Sequence, residues 1–212
     1  MRERLDRTLK NLRVEQLDLF YFHHCMFGKN NEFLDDAMET MLKFKDEGKV
    51  RHIGLSDWDM KKIMKVVYRV NPDVIQPYRN VKDNYYAASG LKKWVDENNA
   101  GVVFFSPLRH GLLLGKYNEP PKFEAGDFRS GVAEFGDAAY IKRMQENRQK
   151  LEERFAGHPQ PVLQGLTGAL LSDAPTGCVL LGQRNPDQVA AAATLGSALG
   201  SDDANWVFSL YK

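Results

Sequence analysis

Short apolar runs alternate with longer amphipathic segments along most of this chain, and that rhythm predicts its secondary structure. Runs of strand length are found at residues 16–22, 50–56, 73–76, 102–106 and 178–181. Apolar residues three and four positions apart predict helices at 2–12, 32–47, 58–70, 87–98, 138–155, 160–172 and about 186–199, with a last short helix from Ser201. Strands that alternate with helices in this way indicate an α/β fold, with a parallel sheet and right-handed crossovers.

The stretch from Gly111 to about Asp137 departs from that rhythm, since it is long, irregular and rich in glycine and proline. Loops of this length without secondary structure are usually functional or mobile. No segment has the composition of a linker between domains. We therefore expect residues 1–212 to form a single domain.

The charge and cysteine content narrow the class of protein. The 29 basic and 28 acidic residues give a net charge of +1, which does not indicate binding to nucleic acid or to a membrane surface. The charged start at residues 1–6 is unlike a signal peptide, and no apolar run approaches ~18 residues. With Cys25 and Cys178 as the two cysteines, we expect no disulfide framework and a reducing, cytoplasmic location.

The first predicted strand ends abruptly in two imidazoles, His23 and His24. A continuous apolar run suits a parallel strand that is buried on both faces. A side chain that titrates near neutrality at the end of such a strand suits catalysis, so His23 is the predicted centre of the site. Neighbouring side chains in a strand point to opposite faces, so His24 is expected to be structural. A metal ion held by both is not expected, and no metal site is predicted.

Five segments, in chain order, resemble motifs of the aldo-keto reductases. Residues 17–23 resemble the strand D-L-x-x-x-H, and residues 48–56 resemble G-K-x-R-x-I-G-x-S-N. Residues 76–80 are similar to Q-x-x-x-N, and residues 105–117 to S-P-L-x-x-G-L-L-T-G-K-Y. Residues 182–188 look like G-x-R-N-x-x-Q. Because the five span nearly the whole chain in the right order, the chain is identified as a member of this family.

The resemblance implies a (β/α)8 TIM barrel with its active site at the carboxyl ends of the strands. Eight strands close such a barrel and five are predicted here, so we expect a partial TIM barrel of about five βα units of parallel sheet. In the family, a catalytic Asp, a Tyr acid and a Lys precede the histidine strand. The chain begins one helix before that strand, so it is expected to be truncated at its N-terminus relative to the family and to lack those three residues.

The resemblance also implies roles for residues near the first three strands. His23 matches the histidine that donates a hydrogen bond to the substrate carbonyl. Ser56, Asp57 and Gln76 match residues that bind the nicotinamide carboxamide. Asp57 replaces the usual Asn, and a carboxylate accepts from the amide N–H but cannot donate to its carbonyl. The alternative for Asp57 is a structural role as the N-cap of the helix at 58–70.

The later motifs imply contacts with the rest of the cofactor. Phe105 would stack on the nicotinamide ring, although an aromatic side chain in a strand is also an ordinary core residue. The loop that binds the pyrophosphate would contain Ser106, Leu108 and Gly111.

The last motif favours NADP over NAD. Gly182, Arg184 and Gln188 match the site for the adenosine 2′-phosphate. Arg184 has the fork geometry that suits a phosphate, and the alternative is a solvated surface arginine.

Two functions follow from this resemblance. The first is an NADPH-dependent reductase of aldehydes or ketones, with activity that is weak or depends on assembly, because loss of the general acid costs roughly 10²–10⁴-fold. The second is a non-catalytic NADP-binding or regulatory protein that has lost the proton-donating half of the site. In either case the unpaired edges of an incomplete barrel favour a homo-oligomer.

Overall fold

The computed structural model describes residues 1–212 and shows an α/β fold with five strands. The strands are β1 (Leu17–Phe22), β2 (Val50–Asp57), β3 (Val74–Pro77), β4 (Gly101–Phe104) and β5 (Cys178–Val179). The helices are α1 (Arg2–Leu12), α2 (Leu34–Asp46), α3 (Met60–Val70), α4 (Tyr85–Ala88), α5 (Leu91–Asn98), α6 (Ala138–Arg154), α7 (Pro161–Asp173), α8 (Pro186–Ala192) and α9 (Ser201–Leu210). None of the helices is both long and apolar enough to cross a membrane.

Internal contacts divide the chain into two compact units. The first unit contains Met1–Tyr78 and Tyr85–Val103, and the second contains Arg79–Asn84 and Phe104–Lys212. The expectation that residues 1–212 form a single domain stays a prediction.

In the first unit, the strands pair in parallel in the order of the chain, as the alternating pattern predicts. The ladder pairs Phe22 with Leu55 and Ser56 with Gln76. The apolar faces of the neighbouring helices cover these strands. In α3, the buried residues recur at helical spacing and are Met60, Ile63, Val66, Val67 and Val70. This register fixes which side chains meet at the carboxyl ends of the strands.

Two predicted helices of the first unit differ in detail from the observed ones. The helix expected at 58–70 begins at Met60, because Asp59 is its N-cap and accepts a hydrogen bond from the N–H of Lys61 over 2.9 Å. The alternative role of Asp57 as the N-cap of this helix is therefore wrong. The single helix expected at 87–98 is wrong. It is two helices, α4 and α5, separated at Gly90, whose φ of 86° leaves the right-handed helical region.

In the second unit, β5 adjoins the end of β4, since the N–H of Leu180 donates to the carbonyl of Phe104 over 2.9 Å. Helix α7 is buried along most of its length. Glycine allows its close packing: a Cβ added at Gly165 would lie 2.7 Å from the side chain of Leu151. The segment from 111 to 137 contains short 3₁₀ helices at Phe128–Gly131 and Ala133–Gly136, and a third, Arg109–Leu114, overlaps its start.

The helix predicted at about 186–199 is too long, because α8 ends at Ala192. None of its seven residues is buried, so no packing supports the alanines beyond it. Intrinsic propensity alone rarely sustains a short helix in water. A turn follows instead, in which the N–H of Thr194 donates to the carbonyl of Ala191.

Candidate active site

The carboxyl ends of β1, β2 and β3 align three of the predicted site residues in one row. Phe22 is paired with Leu55 across the ladder, and His23 and Ser56 are the next residues after this pair. Ser56 in turn is paired with Gln76, and its hydroxyl donates to the carbonyl of Gln76 over 2.9 Å. Ser56 is buried, Gln76 is half-buried and His23 is exposed. Three separate motifs therefore contribute one polar side chain each to this row.

Asp57 is the last residue of β2 and is almost fully buried, with 2% of its surface exposed. Its Oδ2 accepts the N–H of Cys25 over 2.9 Å, and its Oδ1 accepts the N–H of Asp59 over 2.9 Å. The carboxylate thus joins the turn after His23 to the start of α3. Both oxygens are engaged by backbone donors, and an ionised carboxylate has no proton to donate.

The expectation that His24 points to the opposite face from His23 is wrong, whereas its structural role stays a prediction. The two ring centroids are 4.4 Å apart, with an angle of 42° between the planes. The reason is that β1 ends at Phe22, and side-chain alternation does not extend into the turn that follows. The Nδ1 atom of His24 lies 3.8 Å from Oδ2 of Asp57, which is beyond hydrogen-bond distance. No group of three or more His, Cys, Asp or Glu side chains could hold a metal ion.

Cys25 follows this pair of rings and is buried. Burial raises the pKa of its thiol to about 12, and the negative charge of Asp57 adds to the effect. The thiol is therefore protonated at neutral pH, and Cys25 packs as a small apolar residue.

In the second unit, Phe105 follows β4 and is half-buried. Its carbonyl accepts the N–H of Arg79 over 3.0 Å, which fixes the start of the loop. The side chain of Arg79 is buried, and its guanidinium donates to the carboxylate of Asp173 over 2.6 Å. Arg79 therefore links the backbone of Phe105 to Asp173 within the second unit.

The loop after Phe105 has an unusual backbone. Its residues with positive φ are Ser106 (61°), Arg109 (46°), His110 (58°) and Gly111 (86°). The carbonyl of Ser106 accepts from the N–H of Arg109 over 3.2 Å, and that of Leu108 accepts from the N–H of Gly111 over 2.9 Å. Turns with residues in the left-handed region can direct successive N–H groups to one side, which favours an anion.

The ion pairs of Glu134 with Arg109 and Lys82 support this loop, and no sequence motif predicted that these three residues are in contact. Glu134 accepts from Arg109 over 2.5 Å and from Lys82 over 2.9 Å. Burial would raise the pKa of Glu134, but the hydrogen bond from Lys82 and the charge of Arg109 outweigh it and hold this pKa below its ordinary value. These residues are far apart along the chain, so no local pattern could have revealed their contact.

The last predicted group, Gly182, Arg184 and Gln188, also lies in the second unit. A Cβ added at Gly182 would meet no atom within 4 Å, so space is open beside its backbone. The side-chain carbonyl of Gln188 accepts the N–H of Arg184 over 2.7 Å and closes the turn between them. The guanidinium of Arg184 is exposed and forms no ion pair. Its charge adds to the hydrogen bonds from Arg129 that hold the pKa of Asp127 well below its ordinary value.

Comparison with protein families agrees with these motifs. The model of the Aldo/keto reductase family matches residues 1–205. The chain belongs to the aldo/keto reductase family. The predicted fold class, an α/β partial TIM barrel of about five βα units, is confirmed.

The names of similar proteins describe several different activities. The aldo-keto reductase yakc of Schizosaccharomyces pombe, whose name specifies NADP(+), is 28% identical over 149 residues, which are 66% of this chain and 41% of that protein. L-galactose dehydrogenase of Arabidopsis thaliana is 26% identical over 208 residues, 95% of this chain and 60% of that protein.

Among solved structures, a glycerol dehydrogenase from Gluconobacter oxydans superposes with a TM-score of 0.83 at 24% identity. The superposition covers 99% of this chain and 62% of that protein. The chain therefore spans between 41% and 62% of the length of these three proteins.

Proposed function

We propose that this chain binds NADPH and takes part in the reduction of an aldehyde or ketone. The observation that carries the proposal is the row formed by His23, Ser56 and Gln76 at the ends of three paired strands. The carboxyl ends of parallel strands are where barrel enzymes place their chemistry. The substrate class is a small carbonyl compound.

Within that row, His23 is the catalytic residue. It is exposed, so a carbonyl oxygen can approach its ring. An imidazole N–H that donates to this oxygen stabilises the negative charge that develops there during reduction. NADPH, when bound, would supply the hydride, and a proton from solvent water would complete the alcohol.

The polar groups beside His23 suit an amide. The Ser56 hydroxyl, whose one proton is donated to the carbonyl of Gln76, can accept a hydrogen bond, and the Gln76 side chain offers both a donor and an acceptor, as a nicotinamide carboxamide requires. Asp57 fits less well, because both of its oxygens already accept backbone N–H groups and neither can donate. We assign carboxamide binding to Ser56 and Gln76, with Asp57 as an acceptor beside them.

The second unit supplies residues for the rest of the cofactor. Phe105 would contact the nicotinamide ring, and the loop that contains Ser106, Leu108 and Gly111 would receive the pyrophosphate. The backbone conformation of this loop supports that role.

Three further residues would bind the 2′-phosphate. The exposed guanidinium of Arg184 and the open space at Gly182 support this assignment, and Gln188 holds the turn. A phosphate contact at Arg184 favours NADPH over NADH.

A second candidate is a non-catalytic NADP-binding or regulatory protein. The observation in its favour is the engagement of Asp57 by two backbone donors, which makes it a structural residue where the family has an amide. Loss of a general acid costs about 10²–10⁴-fold in rate, so the two candidate functions differ in how much turnover remains.

One experiment distinguishes these functions. NADPH is added to the purified protein, binding is followed by the change in its fluorescence, and oxidation is then followed after a reactive aldehyde such as 4-nitrobenzaldehyde is added. We expect binding and slow turnover. Binding without turnover supports the regulatory protein, and no binding contradicts both functions.

A homo-oligomer in the cytoplasm is part of the proposal. Strand β1 pairs with β2 on one side only, and its side chains Leu19, Phe20 and Tyr21 are half-buried. Such an edge can pair with another strand. Size-exclusion chromatography with light scattering should show a dimer or larger assembly, and a stable monomer would contradict this part of the proposal.

A further inference from the structure

An open groove of about 730 Å³ lies in the first unit, between the start of α3 and the short helix α4. Aromatic side chains contribute to both sides of it: Trp58 is 61% exposed and Tyr85 is 65% exposed. Met60, which is buried, and Met64, which is half-buried, add apolar surface from α3. Two large rings on the surface beside methionines form an apolar lining that water solvates poorly.

The same groove carries positive charge. Lys61 and Lys65 lie one turn apart on α3, line the groove and are both exposed. Neither forms an ion pair, although many other lysines of the chain do. The carboxylate of Asp59 also lines the groove and accepts the N–H of Lys61 as the helix cap, so two positive charges and one negative charge line the groove. Two ammonium groups without carboxylate partners therefore adjoin two exposed rings.

We propose that this groove is a binding site for a small aromatic anion, such as an aromatic carboxylate or sulfonate. The rings of Trp58 and Tyr85 would pack against the aromatic part, and Lys61 and Lys65 would pair with the negative group. The volume lies within the range of pockets for drug-sized ligands, roughly 300–1,000 Å³. The groove is lined by nine residues, whereas a stable protein interface needs about 20–30 residues on each side.

This site is separate from the row of His23, Ser56 and Gln76, none of which lines the groove. It is nevertheless attached to that row through the backbone. Trp58 directly follows Asp57, whose carboxylate holds the N–H of Cys25 in the turn after His23. The proposal does not depend on NADPH binding.

The test uses a pair of dyes with the same rings. 1-Anilinonaphthalene-8-sulfonate is titrated into the full chain by fluorescence, in the presence and absence of saturating NADP+. Its neutral parent, N-phenyl-1-naphthylamine, is titrated in parallel. The fluorescence of Trp58 also reports dye binding directly. Trp94 is buried and Trp206 packs against Phe155, which leaves Trp58 as the exposed tryptophan.

The variants separate charge from stacking. Lys61→Gln/Lys65→Gln should weaken binding of the sulfonate dye by roughly five- to tenfold and binding of the neutral dye by less than about twofold. Trp58→Ala should weaken binding of both dyes by roughly three- to tenfold. The matched control, Lys10→Gln/Lys93→Gln, removes two exposed lysines outside the groove and should change neither.

Three results would overturn the proposal. The first is sulfonate binding that is equally strong in the Lys61/Lys65 variant and the control. The second is binding that Trp58→Ala leaves unchanged in a folded protein, as judged by circular dichroism. The third is complete displacement of the dye by NADP+, which would place it in the nucleotide site.

Discussion

The carboxylate of Asp57 accepts the backbone N–H of Cys25 over 2.9 Å, and it thereby joins the end of β2 to the turn that follows His23. The other oxygen of the same carboxylate accepts the N–H of Asp59 at the start of α3. One buried side chain therefore fixes two backbone segments beside the proposed site. Its first role is positional, because it holds the backbone of the turn that follows His23.

Removal of this carboxylate should destabilise the protein. Asp57→Ala leaves two backbone donors without their acceptor in a buried region, which costs about 1–3 kcal/mol for each such group. Asp57→Asn keeps one acceptor oxygen and should lose less. The free energy of unfolding is measured by urea denaturation.

The control for Asp57 is Asp18→Ala, which removes a largely exposed carboxylate paired with Arg51. Exposed ion pairs contribute about 0–1 kcal/mol, so this change should be small. Equal losses at the two positions would show that the backbone hydrogen bonds of Asp57 do not support the fold.

The two thiols should differ widely in reactivity. Cys25 is buried with its pKa raised to about 12, so it is protonated at neutral pH, whereas Cys178 is exposed. In Cys178→Ser, the remaining thiol should react with 5,5′-dithiobis(2-nitrobenzoic acid) only after urea unfolds the chain. Cys25→Ser, in contrast, should react at once, and rapid labelling of folded Cys178→Ser would contradict the burial of Cys25.

The pH dependence of stability should include a contribution from Glu134. Its pKa is lower in the folded state than its ordinary value of 4.5, because Lys82 and Arg109 outweigh the effect of burial. The unfolded chain then binds more protons, so this stabilisation is present above about pH 4.5 and is lost as the pH falls through the folded pKa.

Glu134→Gln should therefore reduce the free energy of unfolding most at neutral pH. Its difference from the unmodified protein should shrink as the pH falls below about 4.5. Glu119→Gln, at an exposed position, serves as the control. A difference that is constant from pH 7 to pH 3 would exclude this role of Glu134.

Arg184 should decide the preference between the two nicotinamide cofactors. A charge-assisted contact with a phosphate contributes about 1.5–3 kcal/mol, so Arg184→Ala should weaken NADPH roughly ten- to hundredfold. Binding of NADH, which lacks the 2′-phosphate, should change little. Calorimetric titration of both cofactors measures this, with the exposed Arg4→Ala as control. An equal loss of affinity for both cofactors would show that Arg184 does not bind the 2′-phosphate.

The fold could be predicted from the sequence where burial decides it. The strand predicted at 50–56 is observed as β2, which differs from that prediction by one residue and is buried from Ile53 to Asp57. The break at Gly90 had a local signal in the Ser-Gly pair, which apolar periodicity hid. The end of α8 also had a local signal, since Gly196 lies inside the predicted helix and adopts a φ of 126°, but the run of alanines hid it.

The site could be predicted only in part, for a similar reason. Motifs indicate single residues such as His23 and Ser56, and pairing register then aligns them. The contact of Glu134 with Lys82 joins residues 52 positions apart, so a local pattern could not show it. The ring of His24 lies beside that of His23 because β1 ends at Phe22. The sequence predicted this boundary correctly, but side-chain alternation does not continue beyond it.

Reduction of a carbonyl at His23 is the central claim, and one comparison tests it most directly. Oxidation of NADPH by 4-nitrobenzaldehyde is followed at 340 nm for the unmodified protein and for His23→Ala, with NADPH affinity measured on both. We predict turnover in the unmodified protein, a loss of about 10²–10³-fold in His23→Ala, and similar NADPH affinity in both. Unchanged turnover in His23→Ala would contradict the claim.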